Sequence, residues 1–121
     1  MARLNRLRYD GVSHQDWTAP SLAVLTRAHD GMPETSDWDA LDRSQKRHVR
    51  HHFLVTTGGT DAEGLPETFG QLKLPVVTPN HKLSKRAVDD ADARMNQVEG
   101  LGDVESELRT RITNLQEELG E

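Results

Sequence analysis

The chain has 121 residues, a formal net charge of -5 and no cysteine. This length fits one domain, and the lack of cysteine excludes disulfide bonds and thiolate metal sites. With 4% aromatic residues, the chain cannot bury a large core. Its basic start has no apolar run behind it, so we expect a soluble protein without signal peptide or membrane-spanning segment.

Charge divides the chain into two parts. Residues 1–60 carry eight Lys or Arg against seven Asp or Glu, whereas residues 61–121 carry seven against thirteen. A stretch rich in Gly and Thr, from Thr56 to Pro66, is typical of a linker. We therefore predict a basic N-terminal arm plus short helices over residues 1–60. Residues 61–121 are predicted to hold the linker, an extended segment and an acidic helical hairpin.

In the first part, basic residues lie on an arm (residues 1–18) and on one helix. The arm has no clear periodicity, so we expect it to become ordered on contact with a partner. Ser36 or Asp37 can cap the start of this helix, and Asp42 with Gln45 resembles a capping box. Apolar residues recur at helical spacing from Trp38 to Phe53, which predicts a buried stripe. We predict that the exposed basic residues of both segments bind a partner: Arg3, Arg6, Arg8, Arg43, Lys46, Arg47 and Arg50.

The second part predicts an extended segment followed by two helices. Leu74 precedes a proline, which disfavours helix, and Pro75 excludes a central strand. One helix begins after Ser84 and stops before Gly100, and another begins at Asp103. Their short connection predicts an antiparallel hairpin. The predicted fold is therefore mainly α, with short helices, an extended Leu-Pro segment and a C-terminal helical hairpin.

The last helix carries an apolar seam formed by Leu108, Ile112, Leu115 and Leu119. These residues repeat with the spacing of a short coiled coil, which makes them candidates for binding a partner. The alternative is packing on the preceding helix, because a stable coiled coil usually sustains three or more heptads.

His48, His51 and His52 lie close together in the sequence and raise the possibility of a metal site. A basic, solvated helix face explains them better. The spacing of His48 and His52 places two imidazoles on one helical face, as in some zinc sites. However, Val49 stands where a metalloprotease needs Glu, and no third ligand is evident. Serine-protease and phosphate-loop motifs are also missing. We predict no metal, no cofactor, no catalytic residues and no enzymatic activity.

The segment Phe69–Val98 combines K-L-P, a loop with His81, and a helix reading A-x-A-R-M-N-Q-V before Gly100. This pattern resembles a small helical domain found beside, or fused to, the head-maturation (prohead protease) proteins of HK97-like tailed viruses. The resemblance covers roughly Phe69 to Leu119, with a weaker similarity in W-T-A-P-S-L at Trp17 and in the basic segment Asp42–Phe53. The resemblance implies that the gene lies near head-maturation genes and that the protein acts in a virus particle.

The resemblance implies a viral structural protein: a non-enzymatic minor capsid, decoration or connector protein of a tailed-virus head. Its partners would be the major capsid protein, other head proteins or further copies of itself, without a membrane. We expect it in the virion head, and otherwise in the host cytoplasm. One alternative is a small nucleic-acid-binding or regulatory protein that uses the basic residues. Another is an assembly or scaffolding accessory that is absent from mature particles.

Overall fold

The computed structural model describes residues 2–28, 32 and 34–120. The prediction of a mainly α fold is wrong, because the structure has 43% helix, 15% strand and two small sheets, and is a mixed α/β fold. The strands are only two to four residues long, too short for a periodic pattern to be visible in the sequence.

The described residues form five strands, four α-helices and three 3₁₀ turns. The strands are β1 (Arg3–Leu4), β2 (Val12–Ser13), β3 (Phe53–Thr56), β4 (Leu72–Pro75) and β5 (Leu83–Ser84). The helices are α1 (Leu22–Arg27), α2 (Arg43–Arg50), α3 (Lys85–Arg94) and α4 (Val104–Glu118). The 3₁₀ turns are Trp38–Ala40, Phe69–Gln71 and Met95–Gln97. Among these helices, none is long and apolar enough to cross a bilayer.

The larger sheet joins segments that are far apart in the sequence. Its order is β1-β3-β4, with both pairs antiparallel. Arg3 lies opposite Thr56, and Val55 lies opposite Lys73. The sheet therefore spans the predicted boundary at residue 60. Phe53, expected at the end of a helical stripe, instead begins the buried central strand.

The smaller sheet holds the next part of the arm. Strand β2 pairs in parallel with β5, with Val12 opposite Leu83. Lys82 adds a side-chain bond across this junction, because its Nζ donates to the Asp10 carbonyl at 2.8 Å. Two stretches of the arm are thus held by strand pairing within the chain.

Strand β4 lies at the edge of the larger sheet, as Pro75 predicted. The backbone at Leu74, however, differs from the expected extended form. Its φ is 60°, in the left-handed region that bulky side chains rarely adopt. The preference of a residue before proline for extended backbone is therefore overridden at Leu74. In the pairing of β3 with β4, Leu74 has no partner residue.

Helices α3 and α4 pack against each other in antiparallel orientation. Gln116 near the end of α4 bonds to Asp89 in α3. Arg109 near the start of α4 bonds to Asn96, just after the end of α3. Ser84 caps α3 through the backbone N–H of Ala87. The predicted hairpin of two helices is therefore present, attached to the sheets.

Two apolar clusters stabilise the fold. The larger cluster joins the sheets to α3 and α4 and includes Leu54, Val76, Leu83, Met95 and Leu108. The smaller cluster packs α1, α2 and the 3₁₀ turn at Trp38 against Phe53 and Leu72. Both clusters touch the larger sheet, since Leu54 faces one and Phe53 faces the other, as adjacent strand residues do.

Candidate anion-binding surface

The predicted basic residues of the arm and of α2 meet on one side of the molecule, which we call the arm–α2 surface. Strand β1 brings the arm beside β3, the strand that directly follows α2. The surface comprises seven Lys or Arg side chains: Arg3, Arg6, Arg8, Arg43, Lys46, Arg47 and Arg50. His48 and His51 belong to the same segment as the last four. It thus combines two segments about forty residues apart in the sequence.

Asn5 fixes the arm to the central strand. Its backbone N–H donates to the Leu54 carbonyl at 2.9 Å, and its side-chain Nδ2 donates to the Phe53 carbonyl at 3.2 Å. The Thr56 hydroxyl donates to Asn5 Oδ1 at 2.7 Å, and both side chains are buried. Because unpaired polar groups are costly in the interior, this arrangement fixes one register.

His51 connects α2 to the next part of the arm. Asp42 and Gln45 form the predicted capping box at the start of α2, and His51 follows its last residue. His51 Nδ1 lies 2.6 Å from the Arg6 carbonyl, and since a carbonyl only accepts, Nδ1 is the donor. The Arg8 N–H donates to the His51 carbonyl at 3.4 Å. Arg6 and Arg8 are therefore held on either side of this residue.

In one part of the surface, the paired half, the cations are held by contacts within the chain. The paired half comprises Arg43, Lys46 and Arg47. Arg43 Nη1 lies 3.0 Å from Asp61 Oδ2 and 2.8 Å from Glu63 Oε2, and Arg47 Nη1 lies 3.3 Å from the same Glu63 oxygen. The hydrogen bond from Arg43 to Glu63 raises the pKa of Arg43 further.

The carboxylates of the paired half are positioned by a tight turn. Asp61 Oδ1 accepts the N–H groups of Glu63 at 2.8 Å and Leu65 at 3.1 Å. These bonds, the one from Leu65 above all, lower the pKa of Asp61. Lys46, the third cation, lies with Nζ 5.5 Å from the centre of the Trp38 ring, within the range of a cation–π contact.

The other part, the arm half, comprises Arg3, Arg6, Arg8, Arg50 and His51. Arg6 and Arg8 are exposed and form no ion pair with the described residues. The Arg3 guanidinium lies on Gly64, where a Cβ would come within 2.7 Å of Nη1. Arg50 Nη1 donates to the Glu63 carbonyl at 3.3 Å, while its Nε is buried without a hydrogen bond to the described part of the chain.

Like charges crowd each other in the arm half. Burial is the largest cause that lowers the pKa of Arg50, and Arg3 and Arg47 lower it further. Burial also lowers the pKa of His51, with added repulsion from Arg8, Arg50 and His48. A bound anion would relieve this repulsion, because an opposite charge favours the charged form of each group.

The histidines do not meet as one metal site. Helix α2 ends at Arg50, so His48 and His52 do not share a helical face. His52 is buried, with Nδ1 3.0 Å from the Val77 carbonyl and its ring centre 5.1 Å from that of His81. Among the described residues, no group of three or more His, Asp or Glu side chains could hold a metal ion.

The four apolar candidates on α4 lie in or against the core of the chain. Leu108, Ile112 and Leu115 are buried and Leu119 is half-buried, all within the larger cluster. Their positions fit the alternative of packing on the preceding helix and the sheet. A partner could reach these side chains only if the core opened.

A groove of about 600 Å³ that the sequence did not suggest lies between the edge strand β4 and α3. Its walls include Lys73, Leu74, Pro75, Ala91 and Arg94. The left-handed Leu74 backbone thus borders this groove. These residues belong to the K-L-P and A-x-A-R-M-N-Q-V motifs, but no local pattern showed that the two motifs meet, because the groove is formed by the approach of two elements.

Three residues that organise the arm–α2 surface were not predicted from the sequence. Asn5, His51 and Glu63 act through bonds to distant segments, which no local pattern reveals. The run Asp61-Ala62-Glu63-Gly64 does carry a turn signal. That signal could have suggested that the linker folds back as a compact turn, although not toward which residues.

Comparisons with known proteins give no further assignment. No family model matches the chain, and neither the curated proteins nor the solved structures contain a match. The resemblance to the tailed-virus domain therefore stays a prediction from the sequence.

Proposed function

We propose that the protein is a non-enzymatic structural component of a tailed-virus head. It would act as a minor capsid, decoration or connector protein that binds the major capsid protein or other head proteins. The resemblance of Phe69–Leu119 to domains encoded beside head-maturation genes supports this proposal. The function would reside in surface contacts with neighbouring proteins.

The observation that carries the proposal is the central position of the resembling segment. It supplies β4, β5 and α3, and these elements contribute much of the larger apolar cluster. Leu83, Val88 and Met95 are each at most 1% exposed. The segment with the resemblance thus supplies part of the core of the fold.

The paired half is the contact surface that we assign to a protein partner. Arg43 and Arg47 each bond to Glu63 Oε2, and carboxylates of the partner would exchange with Glu63 at these guanidinium groups through the same charge-assisted bonds. Exposed ion pairs contribute little singly. On a repeated capsid surface, however, weak contacts would add up to stable attachment where copies of the chain are linked to one another.

The first test is the copy number of the chain in purified particles of the virus that encodes it. Quantitative mass spectrometry would compare it with the major capsid protein. We expect either a fixed ratio to capsid subunits, as for a decoration or minor capsid protein, or a single ring per particle, as for a connector. Absence from mature particles would contradict the proposal, and presence only in immature heads would indicate an assembly accessory.

A matched pair of variants tests the contact surface. Arg43→Glu reverses a charge in the paired half, whereas Arg27→Glu reverses a similarly exposed arginine that is paired with Glu34 elsewhere. We expect Arg43→Glu to lower the copy number per particle and Arg27→Glu to leave it unchanged. Equal incorporation of both variants would remove the paired half from the proposal.

A further inference from the structure

We propose that the arm half of the arm–α2 surface binds the phosphate backbone of nucleic acid without reading the base sequence. The proposal concerns Arg3, Arg6, Arg8, Arg50 and His51, and it does not depend on the virion assignment. It rests on where the fold places these side chains, because neither basic segment alone forms such a surface.

The fold brings these side chains together from two directions. The β1–β3 pairing places Arg3 beside the strand that follows α2, and the bonds of His51 to the Arg6 and Arg8 backbone hold the arm against the end of α2. The side chains of Arg6 and Arg8 remain exposed and form no ion pair with the described residues. Binding an anion there would break no ion pair of the fold.

The remainder of the molecule has the opposite charge. The arm–α2 surface has seven Lys or Arg and forms ion pairs with two carboxylates, Asp61 and Glu63. The other residues of the chain comprise eight Lys or Arg against eighteen Asp or Glu. A polyanion would therefore be repelled by most of the surface and attracted to this side, which orients its approach.

The contrast with the paired half favours phosphates over protein carboxylates. In the paired half, a fixed turn holds carboxylates against oriented guanidinium groups. In the arm half, Arg6 and Arg8 are exposed on the arm and form no ion pair with the described residues. Such side chains can follow phosphates that repeat along a strand, and each neutralised phosphate releases a counterion, which adds affinity.

The test measures binding of the purified chain to a short fluorescent DNA duplex of mixed sequence by anisotropy, over a range of salt concentrations. The variant is Arg6→Gln with Arg8→Gln. The control is Arg94→Gln with Arg109→Gln, which changes the net charge equally but on the hairpin helices, where both arginines form i,i+4 ion pairs. Circular dichroism and thermal unfolding would confirm that both variants are folded.

We expect the arm variant to bind about tenfold more weakly at low salt. Its plot of log affinity against log salt should become shallower by about two, one for each lost phosphate contact. The control variant should bind like the unmodified chain, and a second duplex of different sequence should bind equally well.

Three outcomes would overturn the proposal. The first is no binding by the unmodified chain at low salt. The second is an equal loss in the control variant, which would show an effect of net charge alone. The third is displacement of the DNA by poly-glutamate as effectively as by unlabelled duplex, which would identify an acidic protein segment as the better partner.

Discussion

The arm–α2 surface and the α3–α4 hairpin are stabilised by different interactions. The hairpin is held by buried aliphatic side chains, such as Leu108 and Ile112, at 0% and 1% exposure. The arm is held by backbone pairing and by the buried amide of Asn5. Apolar burial tolerates small shifts, whereas hydrogen bonds fix one geometry. The difference indicates that the hairpin supplies stability while the arm supplies positioning.

Leu108→Ala should produce the largest loss of stability. The substitution removes a fully buried side chain from the contact between α4 and the rest of the larger cluster. We expect the free energy of unfolding to fall by about 3 kcal/mol, within the range for such cavities. Chemical denaturation monitored by circular dichroism would measure it. Leu119→Ala, at a half-buried position of the same hairpin, is the matched control, and an equal loss there would contradict full burial as the reason for the effect of Leu108.

Asn5→Ala should cost less, although it acts on the arm that carries the basic residues. It leaves the Phe53 carbonyl and the Thr56 hydroxyl without their side-chain partner in a buried site. We expect a loss of about 2 kcal/mol, typical of an unsatisfied buried polar pair. The same denaturation experiment applies.

The control for Asn5 is Asn114→Ala, which removes an exposed asparagine of α4. This change should alter the free energy of unfolding by less than about 0.5 kcal/mol. If Asn5→Ala were equally mild, the arm would be held by backbone pairing alone, and the proposed positioning role of Asn5 would fail.

The same comparison explains how much of the fold the sequence could predict. The hairpin was predictable because Leu108, Ile112 and Leu115 recur at helical spacing over a long segment. The sheets were not, because β1 and β2 contain two residues each and pair with partners far away in the sequence. The backbone of Leu74 was also unpredictable, since its left-handed φ departs from the preference that proline imposes on the preceding residue.

The candidate site shows a similar division. The identities of the basic residues were evident from the sequence, and the capping box of Asp42 and Gln45 is present as predicted. The predicted helix start at Ser36 or Asp37 was wrong, because only a 3₁₀ turn begins there and α2 starts after Asp42. The meeting of the arm with α2 was not evident, since it depends on Asn5 and His51 bonding to residues about fifty positions away. Local patterns therefore identified the charges, and only the fold showed which of them lie together.

The two regions also differ in how their helices begin, and Asp42→Ala tests this difference. Asp42 accepts the Gln45 N–H at 2.8 Å and completes a capping box on α2. Asp103 precedes α4 but forms no side-chain capping bond. We expect Asp42→Ala to lower the free energy of unfolding by about 1 kcal/mol. Asp103→Ala should cost clearly less in the same denaturation experiment, and equal losses would contradict the capping assignment.

The smallest expected effect is a pH dependence that arises in the arm half. Burial lowers the pKa of His51 in the folded chain, whereas in the unfolded chain it should be about 6.5. As the pH falls through that value, the unfolded chain binds a proton that the folded chain does not yet bind. The free energy of unfolding should therefore decrease from about pH 7 downward, until the lower pKa of the folded state is reached.

His51→Gln should reduce this decrease, because glutamine can still donate a hydrogen bond toward the Arg6 carbonyl but does not titrate. Denaturation at a series of pH values between about 7 and 5 would compare the slopes of the two chains. His14→Gln, at an exposed position after the start of β2, controls for the loss of an imidazole. Equal slopes for the His51 and His14 variants would contradict a special role of His51. A flatter slope for His51→Gln alone would show that protonation at the junction of the arm and α2 opposes folding, as expected from the burial of His51 and from the nearby Arg8, Arg50 and His48.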